Sequence, residues 1–246
     1  MTSTTIPVAA GARGRAGQRP VTFTGSAPYF IGLFLLALLA FWPSYLSPAA
    51  IATGYTHLHA ATAATWMLML IAQPLAIRTR RLTLHRALGR TSYVVAPLVV
   101  ASMVLLAHSK THGVPLADLP DYYVPLSLAG LFGLSYALAI VTRRTTARHA
   151  RFMVCTALTL IDPVVVRLLY WAYPTPRFRY QWITFPLTDL VLLALMWRER
   201  HTRVGRSVFP AMLLVFVVAQ LVLLLDLYKA APWVAFVRWF AALPLT

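Results

Sequence analysis

Charge is what this chain lacks most. Of its 246 residues 11% are charged and 59% hydrophobic. A soluble domain carries about 25% charged residues, so the deficit excludes a soluble globular protein. Only one cysteine is present, Cys155, which excludes an intramolecular disulfide. In its apolar run it reads as a small packed hydrophobe. Lysine is nearly missing as well: 20 of the 22 basic residues are arginine, and only Lys110 and Lys229 are lysine. There is no GxSxG, no phosphate-binding loop, no Cys-rich metal motif and no dinucleotide fingerprint. Nucleotide-driven chemistry is therefore not expected. Residues 1–28 contain no acidic residue and no apolar core of a secretory signal. They read as a disordered cytoplasmic tail.

What remains is apolar length punctuated by arginine. Seven segments approach the roughly 20 residues a helix needs to cross a bilayer: Tyr29 to Leu46, His57 to Ile77, Thr91 to Ser109, Tyr122 to Val141, His149 to Trp171, Gln181 to Trp197 and Ser207 to Leu227. The expected fold is all-α: a polytopic membrane bundle of seven transmembrane helices over residues 29–228. A short amphipathic segment, residues 229–246, carries Trp233, Phe236, Trp239 and Phe240 and is expected to lie along the interface.

The net charge of +16 would suggest nucleic acid if it were spread over a soluble surface. Here it sits in short loops between apolar runs, so nucleic acid is rejected as a partner. The tail, with Arg13, Arg15 and Arg19, and three clusters (Arg78 to Arg90, Arg143 to Arg151, Arg198 to Arg206) hold 16 of the 22 basic residues. The opposite side has only Lys110, Arg177, Arg179, Lys229 and Arg238. The positive-inside rule then puts the N-terminus in and the C-terminus out, in a bacterial inner membrane with anionic lipids at the arginine face. Partner membrane subunits or a homo-oligomer are compatible with this reading.

The sequence also repeats. Leu75-Ala76-Ile77-Arg78-Thr79-Arg80-Arg81-Leu82-Thr83 matches Leu138-Ala139-Ile140-Val141-Thr142-Arg143-Arg144-Thr145-Thr146 at seven of nine positions, 63 residues apart. A histidine follows each copy, His85 and His149, and a proline lies in each following span, Pro97 and Pro163. Three helical hairpins of one design are expected, spans two with three, four with five, and six with seven.

Several stretches carry a resemblance. They are His57-Leu58-His59, Trp66, Gln73-Pro74-Leu75, His85-Arg86-Ala87-Leu88-Gly89-Arg90, His149-Ala150-Arg151-Phe152-Met153, Leu160-Ile161-Asp162-Pro163 and Tyr180-Gln181-Trp182-Ile183-Thr184. Together they resemble an uncharacterised bacterial family of multi-pass membrane proteins, over about residues 30 to 225. That family brings no established activity. The His-Arg and His-x-Arg helix starts are more loosely similar to two-haem b-type membrane cytochromes, which implies paired axial histidines.

Three function classes follow. His85 and His149 begin two spans amid arginines. Neutral imidazoles from separate helices can clamp a haem iron, with Arg86, Arg90 and Arg148 on its propionates, so haem b in a redox protein is the first expectation. Alternatively, His57, His59 and His108 with Asp162 and Asp189 form a divalent metal site of an outward-facing membrane enzyme. The third class is non-catalytic, a transporter or an accessory subunit, with no cofactor. In it the membrane-embedded Gln73, Arg167, Asp162 and Asp189 set helix register or relay protons.

Overall fold

The computed structural model describes residues 23–115, 118, 122–175 and 179–246, and among them every regular element is helical. The main helices are α1 (Ala27–Phe41), α2 (Gly54–Arg78), α3 (Leu82–Ser109), α4 (Tyr123–Val141), α5 (Thr146–Leu158), α6 (Ile161–Ala172), α7 (Gln181–Arg198), α8 (Val208–Leu224) and α9 (Ala231–Ala241). Five helical segments are long and apolar enough to cross a membrane: Phe23–Leu46, Gly54–Arg78, Leu82–Ser109, Tyr123–Val141 and Thr146–Ala172. The helix Val208–Leu224 is apolar but shorter, and α7 carries Asp189 at its middle. Arg13, Arg15, Arg19 and Arg177 lie outside the described residues.

Two boundaries differ from expectation. Residues 1–22 of the expected tail lie outside the described residues, but 23–28 are folded. Phe23–Gly25 form a 3₁₀ turn, Ser26 Oγ donates to Phe23 O at 2.6 Å, and Pro28 is the second residue of α1, in the first turn, where a missing N–H costs nothing. The turn folds because Phe23 finds an aromatic partner, Phe209, at 6.2 Å. In addition, α3 begins nine residues before the expected span, at Leu82. Arg86 and Arg90 therefore stand on a helix, and the connection shrinks to Thr79, Arg80 and Arg81. Arg80 takes a left-handed φ of 60°, and Arg81 N–H donates to Ala76 O at 2.8 Å, which closes the end of α2 in the manner of a Schellman cap.

The sequence repeat is also a repeat of structure. Thr79 Oγ1 donates to Leu75 O at 2.8 Å, and Thr142 Oγ1 to Leu138 O at 2.6 Å. His85 N–H donates to Arg81 O at 3.1 Å, and His149 N–H to Thr145 O at 3.0 Å. Each copy ends one helix with a threonine and restarts the next on the same turn. The helices on either side pack as hairpins, α2 on α3 and α4 on α5, and α7 packs on α8 likewise.

The fifth apolar segment is expected as one helix and is found broken. α5 stops at Leu158 and α6 starts at Ile161. Pro163 explains the place of the break: it has no N–H to give, and its ring opposes the carbonyl four residues back, Thr159. The core follows the interrupted segment. One apolar cluster joins Cys155 and Leu158 to Leu128, Leu192, Phe209 and Met212. A second joins Ala157 to Trp66, Val95 and Phe132.

Candidate functional site

The break places a carboxylate inside the bundle. Asp162 is the second residue of α6, 5% exposed. A helix start carries unpaired N–H groups and the positive end of the helix dipole, so a carboxylate is favoured there. Thr184, on α7, donates its hydroxyl to Asp162 Oδ1. Beside it is a cavity walled by α4, α5, α7 and α8, with Ser127, Thr188 and Gln220 as its other polar side chains. The space open to a water centre is about 20 Å³, enough for one water.

Asp189 stands one layer away. Its Oδ1 accepts from Gln220 Nε2 at 3.1 Å, and Gln220 lines the Asp162 cavity. Gln220 thus bonds one expected carboxylate and lines the cavity of the other. Arg167 joins neither. Among the described residues it forms no ion pair; it donates to Pro163 O at 2.8 Å and lies 4.1 Å from the Phe41 ring centroid. Five residues turn a helix by about 500°, that is about 140°, so Arg167 faces α1 while Asp162 faces α7. Gln73, also expected to be membrane-embedded, has its Oε1 buried without a partner among the described residues.

The expected metal ligands do not converge. His57 Nδ1 lies 3.0 Å from Tyr45 Oη, and His59 Nδ1 lies 3.2 Å from Ser102 Oγ on α3. Two residues along a helix point about 200° apart, so this His-x-His pair cannot chelate one ion. His108 is fully buried and reaches Thr246 Oγ1 at 2.6 Å. Among the described residues no three His, Cys, Asp or Glu side chains come together.

The expected haem ligands lie at the opposite, arginine-rich end. His149 Nδ1 donates to Ala139 O at 2.9 Å, one of the last carbonyls of α4, which leaves Nε2 with the lone pair. His85 Nδ1 is buried without a partner among the described residues. Arg86, Arg90 and Arg148 are exposed. The ligating atoms are of the right type, but neither imidazole lines the Asp162 cavity or the large apolar groove between α4 and α8.

The most buried charges were not singled out by sequence. Arg151 Nε and Glu199 Oε2 are 2.6 Å apart, both side chains almost wholly enclosed. In the sequence Arg151 reads as an orientation charge and as part of the His149–Met153 stretch, with no partner indicated. The available signal was Glu199, the chain's sole glutamate, set between Arg198 and Arg200. Gly205, with φ +81°, lets the backbone close over the pair: a Cβ there would sit 2.8 Å from Arg151 Nη1 and 3.3 Å from the Ala147 carbonyl carbon.

At the other end Asp226 ties the last helices together. Its Oδ1 is 2.8 Å from Arg179 Nη1 and 3.2 Å from Lys229 Nζ. The hydrogen bonds from Arg179, then Lys229, hold its carboxyl below the usual range. A depressed folded-state value means the stabilisation is present above the unfolded value of about 3.9 and is lost as pH falls through the folded one. Asp226→Asn tests this cleanly, because asparagine also tolerates the φ of 57° found there. Near neutral pH the variant is expected to melt slightly below the wild type. The gap should close as melts are taken below pH 4, and a gap that persists there would refute the assignment.

No protein-family model, no curated protein and no solved structure matches the chain.

Proposed function

We propose that this protein is a non-catalytic membrane transporter in which Asp162 carries a proton. The observation that carries the reading is the broken helix: α6 starts within the bundle, and its first turn presents a buried carboxylate to a cavity. Interrupted spans that aim a half-helix terminus at a mid-membrane site are a recurrent transporter device. An ionisable side chain kept at such a site with no salt bridge among the described residues is costly, and function is the usual reason to retain it. Gln220 and Asp189 extend the polar path toward α8, and Thr184 and Thr188 line it on α7. The reading includes seven spans with the arginine-rich end in the cytoplasm, in a bacterial inner membrane. It needs no haem and no metal.

Proton flux tests it. Purified protein is reconstituted into vesicles holding a trapped pH dye, and a potassium gradient with valinomycin supplies the driving potential. Wild-type vesicles should acidify faster than protein-free ones, and Asp162→Asn should return the rate to that of protein-free vesicles with its melting temperature retained. Equal flux from the variant, or no wild-type flux above protein-free vesicles, would sink the proposal.

A further inference from the structure

We propose that His108 and His112 form a two-imidazole site for a divalent transition metal at the α9 end of the bundle. This set differs from the expected His57, His59 and His108, and it does not depend on the transport reading.

The geometry carries it. His108 is near the end of α3 and His112 is in the turn that follows, where Thr111 N–H donates to His108 O at 2.8 Å. That tight turn brings the two rings to one point. His108 Nδ1 is 2.6 Å from Thr246 Oγ1, and His112 Nε2 is 3.0 Å from the same oxygen. One atom is therefore faced by two imidazole nitrogens from different directions. The ring centroids are 5.4 Å apart at an interplanar angle of 82°. Two imidazoles on one tetrahedral metal, with metal–nitrogen bonds of about 2.0–2.1 Å, hold their centroids roughly 5 Å apart. The rings already stand at that spacing, and each nitrogen must approach the shared point by only about 1 Å or less to reach bonding distance.

The surroundings divide the work between the two rings. His108 is fully buried and packs edge-on against Phe240 at 5.1 Å, so its ring is fixed in place. His112 is exposed and gives an ion access from solvent. Imidazole nitrogens completed by hydroxyl or water oxygen suit zinc, copper(II) or nickel(II) rather than calcium or magnesium. To admit the metal, the Thr246 hydroxyl withdraws from the shared point by one metal–oxygen bond, roughly 2 Å; from there it serves as the third donor, and water fills what remains. Binding would tie the chain beyond α9 to the end of α3 with a metal in place of a hydroxyl bridge.

The test uses the purified full chain titrated with copper(II) and with zinc(II). One equivalent of copper should bind and show paramagnetic-resonance splitting from two imidazole nitrogens. Zinc should raise the melting temperature, since a ligand of the folded state stabilises it by mass action. His112→Ala should weaken both by at least about tenfold while leaving the metal-free melting temperature unchanged, because the ring is exposed. His108→Ala should weaken both likewise where it folds, with a lower metal-free melting temperature because its ring is buried; if it does not fold, His112→Ala alone decides. Copper binding that survives His112→Ala, or that disappears instead on joint replacement of His57 and His59, would overturn the site, and so would the absence of stoichiometric binding.

Discussion

Glu199→Gln is expected to destabilise the protein by about 3–5 kcal/mol, as removal of one member of a buried ion pair does. The pair connects α5 to the end of α7, and both side chains are nearly sealed from solvent, Arg151 at 1% and Glu199 at 3%. Without the carboxylate, the Arg151 guanidinium keeps the Ala147 carbonyl and the Phe23 ring, 5.8 Å away. Neither carries a countercharge. Arg151→Ala should cost as much, for the mirror reason. Joint replacement, Arg151→Met with Glu199→Leu, should recover most of the loss, because two apolar groups of similar volume need no desolvation compensation. Melting temperature in mild detergent and the yield of folded protein are the readouts. A double variant no better than either single one would show that the pair is not the unit that matters.

Trp66→Ala is expected to cost about 3–5 kcal/mol, the usual range for an aromatic residue emptied from a core. Trp66 is 1% exposed on α2. Its indole meets Phe132 edge-on at 5.1 Å and Tyr136 at 5.5 Å, both on α4, and its Nε1 donates to Thr156 Oγ1 on α5 at 3.3 Å. One side chain thus binds three helices. Among lipid tails the hydrophobic term between helices is weak, so the loss comes from packing contacts and the cavity left behind. Trp66→Phe should keep most of the stability, since it gives up only the distal ring and the weak hydrogen bond. Unfolding in graded denaturing detergent would measure both variants. A Trp66→Ala protein within 1 kcal/mol of wild type would mean that the neighbouring helices collapse into the space.

Much of the helical framework was legible in the sequence because it depends on local terms. Apolar length marked α1 to α4, and the arginine clusters marked the turns within the hairpins. The repeat at Leu75 and Leu138 announced a shared helix ending, and the same threonine and histidine bonds recur at both copies. Composition alone mislaid the start of α3. Arginine reads as loop, yet the run from Leu82 to Arg90 is made largely of good helix formers, and its long side chains can stay exposed while the backbone coils.

The site was legible only in part. Asp162 and Asp189 stood out as carboxylates in apolar runs; Asp162 lines the cavity, and Asp189 bonds Gln220, which lines it too. Their neighbours did not stand out. Thr184 looks like any helical threonine, and Gln220 like a stray polar residue. Partnership between residues 22 and 31 positions apart is set by how α6, α7 and α8 cross.

By itself, then, the sequence determined that this protein is helical and membrane-embedded, where most helices lie, and which end carries the arginines. Those properties follow from hydropathy, charge and backbone preference, which act residue by residue. Only the tertiary structure decided which polar groups meet: Asp162 with Thr184, Arg151 with Glu199, His108 with His112 through Thr246. Meeting depends on helix rotation and on the break at Thr159, and a rotation of 100° per residue moves a side chain to another face with no trace in composition.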